Sequence, residues 1–392
     1  MSYQARLTLA IASLAPLLSA GIIAHAQNYT QTNLVANTAS AGAAVVDPNL
    51  VNPWGLSRSA SSPWWVSDAG TGVSTLYDGN GTIVPLVVTI PKVSSTAKIG
   101  TPTGTIFNPN SSDFLIAAGH PASFIFDTLD GSIVAWPSAT NTAVTVAKGA
   151  TGSVYTGLTS ATWEGATYIL AANFGKGRID VFNSKFAPVT VPAVPNGDTF
   201  NPGTYPAFFD GDIPSNYSPY NVQAIGNDIV VTYAANNFTG GPGMGYVDIF
   251  TTNGQLLQRL QNTEWMNAPW GVALAPNDFG TYSHDLLIGQ FGAGGTTTGA
   301  GTISAYDPIT GKFLGLVENA AGKPIVIEGL WAITFGNPAP AKSTAGSVSA
   351  NYDAAGAPAN ELYFSAGPNK QTDGLFGYLA PVATENTQGN ND

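Results

Sequence analysis

The sequence predicts an all-β fold, a six-bladed propeller whose N-terminal strand closes the last blade. Three observations predict it. A glycine-led strand phrase occurs six times along the 392 residues, at separations of 46 to 73 residues, which fits blades with loop insertions better than the strands of a sandwich. Two further strand-like segments precede each copy. Hairpin-forming turns follow most of them, in a chain with 45 glycines and 27 prolines.

The elements follow in chain order. Residues 1–26 read as a signal peptide: Arg6, an apolar run from Leu7 to Ile23, and the small-residue cleavage site Ala24-His25-Ala26, which leaves Gln27 as the mature N-terminus. Residues 27–383 read as a single propeller domain. Its phrases begin at Gly72, Gly131, Gly177, Gly245, Gly301 and Gly374, as in Gly177-Arg-Ile-Asp-Val-Phe182. Each alternates at period 2 and is expected to be the third strand of a blade. The expected second strands are Trp64–Val66, Phe114–Ile116, Tyr168–Leu170, Ile229–Val231, Leu286–Ile288 and Leu362–Phe364. The expected inner strands are Pro53–Leu56, Pro102–Ile106, Tyr155–Leu158, Pro219–Val222, Pro269–Val272 and Gly329–Ile333, most with a glycine that lets blades converge on a narrow axis. Fourth strands follow turns such as Asn253-Gly254. The sixth unit lacks one, and Thr32–Asn37 is expected to supply it, removing two sheet edges that would otherwise invite aggregation. Thr384–Asp392 reads as a flexible polar tail.

Composition excludes several function classes. There is no cysteine, hence no disulfide framework, thiolate metal site or cysteine nucleophile. Only 9% of residues are charged and the net charge is -11, which argues against nucleic acid and anionic membrane surfaces, because both select clustered Lys and Arg. After signal cleavage no transmembrane anchor is expected.

The order of Pro-Trp-Gly-Leu at 53–56, Trp-Val-Ser-Asp-Ala-Gly-Thr-Gly at 65–72, the run from Ala172 to Phe182, Pro-Trp-Gly-Val-Ala at 269–273 and Leu-Trp-Ala-Ile-Thr-Phe-Gly at 330–336 resembles an uncharacterised family of secreted bacterial NHL-like β-propellers. Some members carry a PEP-CTERM sorting tail; this sequence shows none, so the resemblance implies no sorting by that route. It implies a propeller fold and an exported protein, and carries no catalytic residues with it.

A ligand is expected at one mouth of the central channel. The residues placed there by their position after each second strand are Asp68, His120, Asn173, Asn237 and Gln290, with Gly367 in the sixth blade. A ring of amides with one carboxylate and one imidazole suits a neutral polar ligand; alternatively each amide bonds nearby backbone and the Phe after three of them seals blade packing. Glu328-Gly-Leu-Trp331 resembles the opening of calcium-dependent lactonase propellers, and with Asn173 and Asp68 it defines an alternative metal site for Ca2+ or Mg2+. Trp54, Trp270 and Trp331 are expected to wedge between blades, and Asp47, Asp180 and Asp248 to sit in turns or outward strand positions. No nucleophile elbow, P-loop or dinucleotide fingerprint is present.

The expectation is therefore an exported, monomeric binding propeller, periplasmic or extracellular, whose partner is a small polar ligand, a carbohydrate or a surface protein. No cofactor is expected on that reading. The alternative is a metal-assisted lactonase or lyase at the channel mouth.

Overall fold

The computed structural model describes residues 28–93, 99–138, 140–195, 203–292, 297–336 and 359–382. The expected signal peptide and polar tail lie outside these residues. Six sheets surround one axis, each built of consecutive antiparallel strands from the axis outward. Blade 1 contains Pro53–Ser57, Trp64–Asp68, Val73–Tyr77 and Val88–Thr89. Blade 2 contains Pro102–Phe107, His120–Thr128, Ser132–Pro137 and Val144–Lys148. Blade 3 follows with Tyr155–Trp163, Ala166–Asn173, Arg178–Asn183 and Pro188–Val189. Blade 4 has Tyr217–Ile225, Asp228–Ala235, Tyr246–Thr251 and Leu256–Arg259, and blade 5 has Pro269–Leu274, Leu286–Gln290, Ile303–Tyr306 and Phe313–Leu316.

Blade 6 is assembled from both ends of the chain. Leu330–Phe335, Leu362–Ala366 and Leu375–Pro381 are completed by Tyr29–Ala36, which pairs antiparallel with the third strand from Tyr29 opposite Pro381 to Ala36 opposite Leu375. This is the closure expected from the sequence. A short fifth strand, Val45–Val46, adds in parallel to its outer edge. Tyr29 also ties the closing strand to blade 5, its hydroxyl donating to the Phe279 carbonyl at 2.8 Å.

The strands are apolar on both faces because each blade is packed between two others. Period-2 alternation here sorts side chains between neighbours, not between core and water. In blade 2, Phe124 and Phe126 pack with Trp65 and Leu76 of blade 1, while Ile125 packs with Leu158 and Ile169 of blade 3. In blade 4, Ile229 and Val231 turn to blade 3 and Val230 turns to blade 5. The same division recurs between blades 5 and 6 and between blades 6 and 1, so six apolar interfaces close the circle. Each buried aliphatic side chain contributes about 1.5–3 kcal/mol.

One strand differs from expectation. Phe114–Ile116 is not the second strand of blade 2: Leu115–Ala117 forms a small hairpin with the start of the long strand His120–Thr128, which itself pairs with the inner strand. The run Ala122–Phe126 offers apolar residues to both neighbouring blades, and the shorter run upstream does not. Near the axis, glycine is required by close approach. A Cβ on Gly55 would lie 2.6 Å from the Thr103 carbonyl oxygen of blade 2, and one on Gly104 would lie 2.5 Å from the Leu158 amide of blade 3.

Candidate functional site

The channel face that carries the starts of the inner strands is filled by aromatic rings. The first half of the inner strand contributes one of these rings in four blades: Trp54, Tyr220, Trp270 and Trp331. Trp54 stacks on Trp331 with centroids 3.5 Å apart, Trp331 stacks on Phe291 at 3.9 Å, and Trp54 meets Tyr220 of the opposite blade at 6.3 Å. Contact between opposite blades places this cluster on the axis. The tryptophans expected to wedge between blades are buried, Trp54 and Trp331 of neighbouring blades stack directly, and with Tyr220 they form an axial plug. Trp270 Nε1 crosses to the Thr156 carbonyl at 2.8 Å, and Trp331 Nε1 donates to Asn52 Oδ1 at 3.0 Å.

The plug decides what the expected ring residues touch. Asp68, Asn173 and Gln290 end their second strands as expected, and all three are fully buried. Asp68 Oδ2 accepts from the Thr75 amide and hydroxyl. Gln290 Oε1 accepts from the Asn267 amide at 2.8 Å, and Asn173 Oδ1 from the Val154 amide at 3.2 Å. His120 begins its strand, so it lies at the opposite end from the other members, and Thr128 takes the equivalent place. Asn237 is exposed two residues beyond its strand and bonds Thr239. Glu328 is exposed and accepts from the Asn369 amide at 3.1 Å, while Asp68 and Asn173 are buried in blades 1 and 3 on other sides of the plug. Among the described residues no three His, Asp or Glu side chains gather as metal ligands.

At the other end of the axis a cavity of about 160 Å3 is lined from all six blades, by Ser57, Thr105, Leu158, Gln223, Val272 and Thr334 among others. It is narrow, below the few hundred Å3 usual for a ligand of drug size.

A larger concavity lies elsewhere, at the junction of blades 3 and 4. It is a cleft of about 750 Å3 lined by Phe174, Lys176, Phe208, Phe209, Asp210, Ser215, Tyr217, Ser218, Tyr233, Asn236 and Phe238. Its aromatic walls are of two kinds. Phe174 and Phe208 are buried and form the base, whereas Phe209 is 47% exposed and Phe238 is 50% exposed. Phe238 is held flat against Phe174, centroids 4.4 Å apart and planes 23° apart, and Phe174 in turn touches Tyr220 of the plug at 5.4 Å. Phe208 and Phe238 both adopt left-handed backbone, φ 58° and 56°, which bulky residues rarely do. Hydrogen bonds hold them there: the Phe208 amide donates to Gly254 and the Phe238 amide to Ala235.

Beneath the cleft lies a buried charged cluster. Arg259 pairs with both Asp210 and Asp248, its Nε reaching Asp248 Oδ1 at 3.1 Å, and its guanidinium lies over the Tyr246 ring. Burial holds Asp248 well above the ordinary carboxylate range, Asp210 adds to this, and Arg259 opposes it. Burial likewise keeps the Tyr233 phenol neutral. Asp248 thus departs from the outward position expected of it, because the third strand of blade 4 is covered on both faces. Asp47 is also buried, accepting from the Tyr77 hydroxyl at 2.9 Å.

Sequence reading missed this cleft because Phe208, Phe209 and Asp210 sit in the connection between blades 3 and 4, which has no counterpart in the repeat. The one available signal was Phe238 in an Asn-Phe pair, which looked equivalent to Phe174 and Phe291.

No known family model matches the chain. It is similar to uncharacterized protein R648 of Acanthamoeba polyphaga mimivirus, 25% identical over 367 residues that cover 88% of this chain and 79% of that protein. It is also similar to uncharacterized protein L690 of the same virus, 27% identical over 372 residues, 89% of this chain and 85% of that one. Neither likeness shows a bacterial or NHL-type family. Among solved structures, a streptogramin B lyase aligns over 90% of this chain and 97% of its own at 11% identity with a TM-score of 0.46. Virginiamycin B lyase from Staphylococcus aureus aligns with the same TM-score and identity.

Proposed function

We propose that this chain is an exported propeller that binds a carbohydrate chain in the cleft between blades 3 and 4. The observation that carries the reading is the pair of half-exposed rings, Phe209 and Phe238, on a concavity of about 750 Å3. Exposed aromatic faces supply apolar contact to the C–H faces of sugar rings. The Ser215 hydroxyl, the Asn236 amide and Lys176, all exposed, supply hydrogen-bond partners around them. A concave site with an apolar wall and a few placed polar groups is the usual setting for small-molecule recognition. Export is supported by the segment from Arg6 to Ala26, which reads as a signal peptide and would bring the site to extracellular glycans.

The test is affinity electrophoresis through gels containing a panel of soluble polysaccharides. The protein is expected to be retarded by at least one of them, and Phe238→Ala to weaken that retardation roughly tenfold, as loss of a stacking contact worth about 1.4 kcal/mol would. Wild-type retardation of Phe238→Ala in the retarding gel would contradict the assignment to this cleft.

A further inference from the structure

A second cavity of about 530 Å3 adjoins the cleft, with Phe208 lining both. The two lie on either side of consecutive residues: Val154 and Gly177 face the first, Tyr155 and Arg178 the second. Cations gather along this boundary. Lys148 and Arg178 line the second cavity and Lys176 the first, so three of the chain's 13 Lys and Arg residues meet here although its net charge is -11.

Arg178 is also held in place. Its Nε donates to Asp180 Oδ1 at 2.6 Å, while its side chain remains 60% exposed. Asp180 is fixed in turn, because its Oδ2 accepts from the Tyr155 hydroxyl at 2.9 Å and from Asn173 Nδ2 at 2.7 Å. Asn173 is itself anchored by the Val154 amide and the Ser153 hydroxyl. With Nε engaged by Asp180 and the side chain 60% exposed, the guanidinium has terminal nitrogens to offer a planar carboxylate, which its fork suits. Asp180 offsets one of the three cations. Two positive charges remain along a groove longer than a single sugar, which fits singly charged units spaced along a chain better than one dense polyanion.

We propose that the two cavities form one groove for an acidic polysaccharide bearing uronate carboxylates, with sugar rings against Phe209 and Phe238 and a carboxylate on Arg178, assisted by Lys148 and Lys176. This rests on the carbohydrate reading of the cleft. It departs from the neutral ligand expected of the channel mouth, because the cations lie outside that mouth.

Calorimetric titration of the full chain with pentagalacturonate, its fully methyl-esterified form and a pentaglutamate peptide tests it. The acid is expected to bind at least tenfold more tightly than the ester at low salt, and to lose that advantage as NaCl is raised from 50 to 300 mM. Lys148→Gln and Arg178→Gln are each expected to cut the advantage about fivefold; Lys148 is exposed and makes no ion pair among the described residues, so its variant keeps the test independent of folding. Equal binding of acid and ester would overturn the inference while leaving the carbohydrate reading intact. Pentaglutamate binding as tightly as the uronate would overturn the sugar component. Absence of binding to both sugars would overturn the inference, and absence of retardation by every gel polysaccharide would overturn the carbohydrate reading itself.

Discussion

Asp127 shows how burial at single residues shapes this molecule. It is fully buried beside the axis, where Oδ1 accepts from the Thr103 hydroxyl at 2.7 Å and the Gly104 amide at 2.6 Å. Burial outweighs these bonds and raises its pKa from 3.8 to about 6. Asp68 and Asp248 are raised in the same sense, again chiefly by burial. The folded state therefore holds protons that the unfolded chain releases, and the linked stability is fully present below about pH 3.8 and is lost as pH rises through about 6. This is opposite to the usual acid lability of paired carboxylates. For Asp127 alone the change between pH 4 and pH 7 is about 2 kcal/mol. Urea unfolding of Asp127→Asn and wild type at both pH values should show the variant gaining about that amount on the wild type as pH rises. A gap that stays constant with pH would show that Asp127 ionises normally in the folded protein.

At the scale of elements, the closing strand Tyr29–Ala36 holds the circle of blades shut. It covers the third strand of blade 6 and reaches blade 5 through Tyr29, so its removal uncovers a strand edge and an apolar interface together. A chain truncated before Thr38 is expected to aggregate or to lose cooperative unfolding, as followed by light scattering and circular dichroism during urea titration. Cooperative unfolding at the wild-type midpoint would contradict the role given to this strand. The closure was legible because Thr32–Asn37 carries the apolar run Leu34-Val35-Ala36 ahead of the first blade and the last unit is one strand short. Third strands were legible because a glycine and an aromatic residue return in each of the six, and inner strands because most carry a glycine at a matching place. The second strand of blade 2 was not, because Phe114–Ile116 and Ala122–Phe126 are adjacent apolar runs and only packing against both neighbouring blades separates them. The candidate site was least legible of all: Asp68, Asn173 and Gln290 occupy the expected ring positions but are fully buried, and the rings of Trp54, Tyr220, Trp270 and Trp331 cluster on the axis.

The whole molecule joins a sealed axis to an open flank. Six apolar interfaces and the aromatic plug make the disc rigid, and the connection bearing Phe208, Phe209 and Asp210 leaves one junction hollow. Asp210 anchors that connection to Arg259 of blade 4, so the cleft wall is built onto the scaffold. On the proposed carbohydrate reading, little reorganisation would be needed on binding, which favours affinity for a flexible chain. The most direct test of this arrangement is hydrogen–deuterium exchange with and without saturating pentagalacturonate. Protection is expected in segments 174–178, 208–218 and 236–238, with segments 55–58, 104–106 and 332–335 around the axial cavity unchanged. Protection confined to the axial segments would contradict the account and return the ligand to the channel.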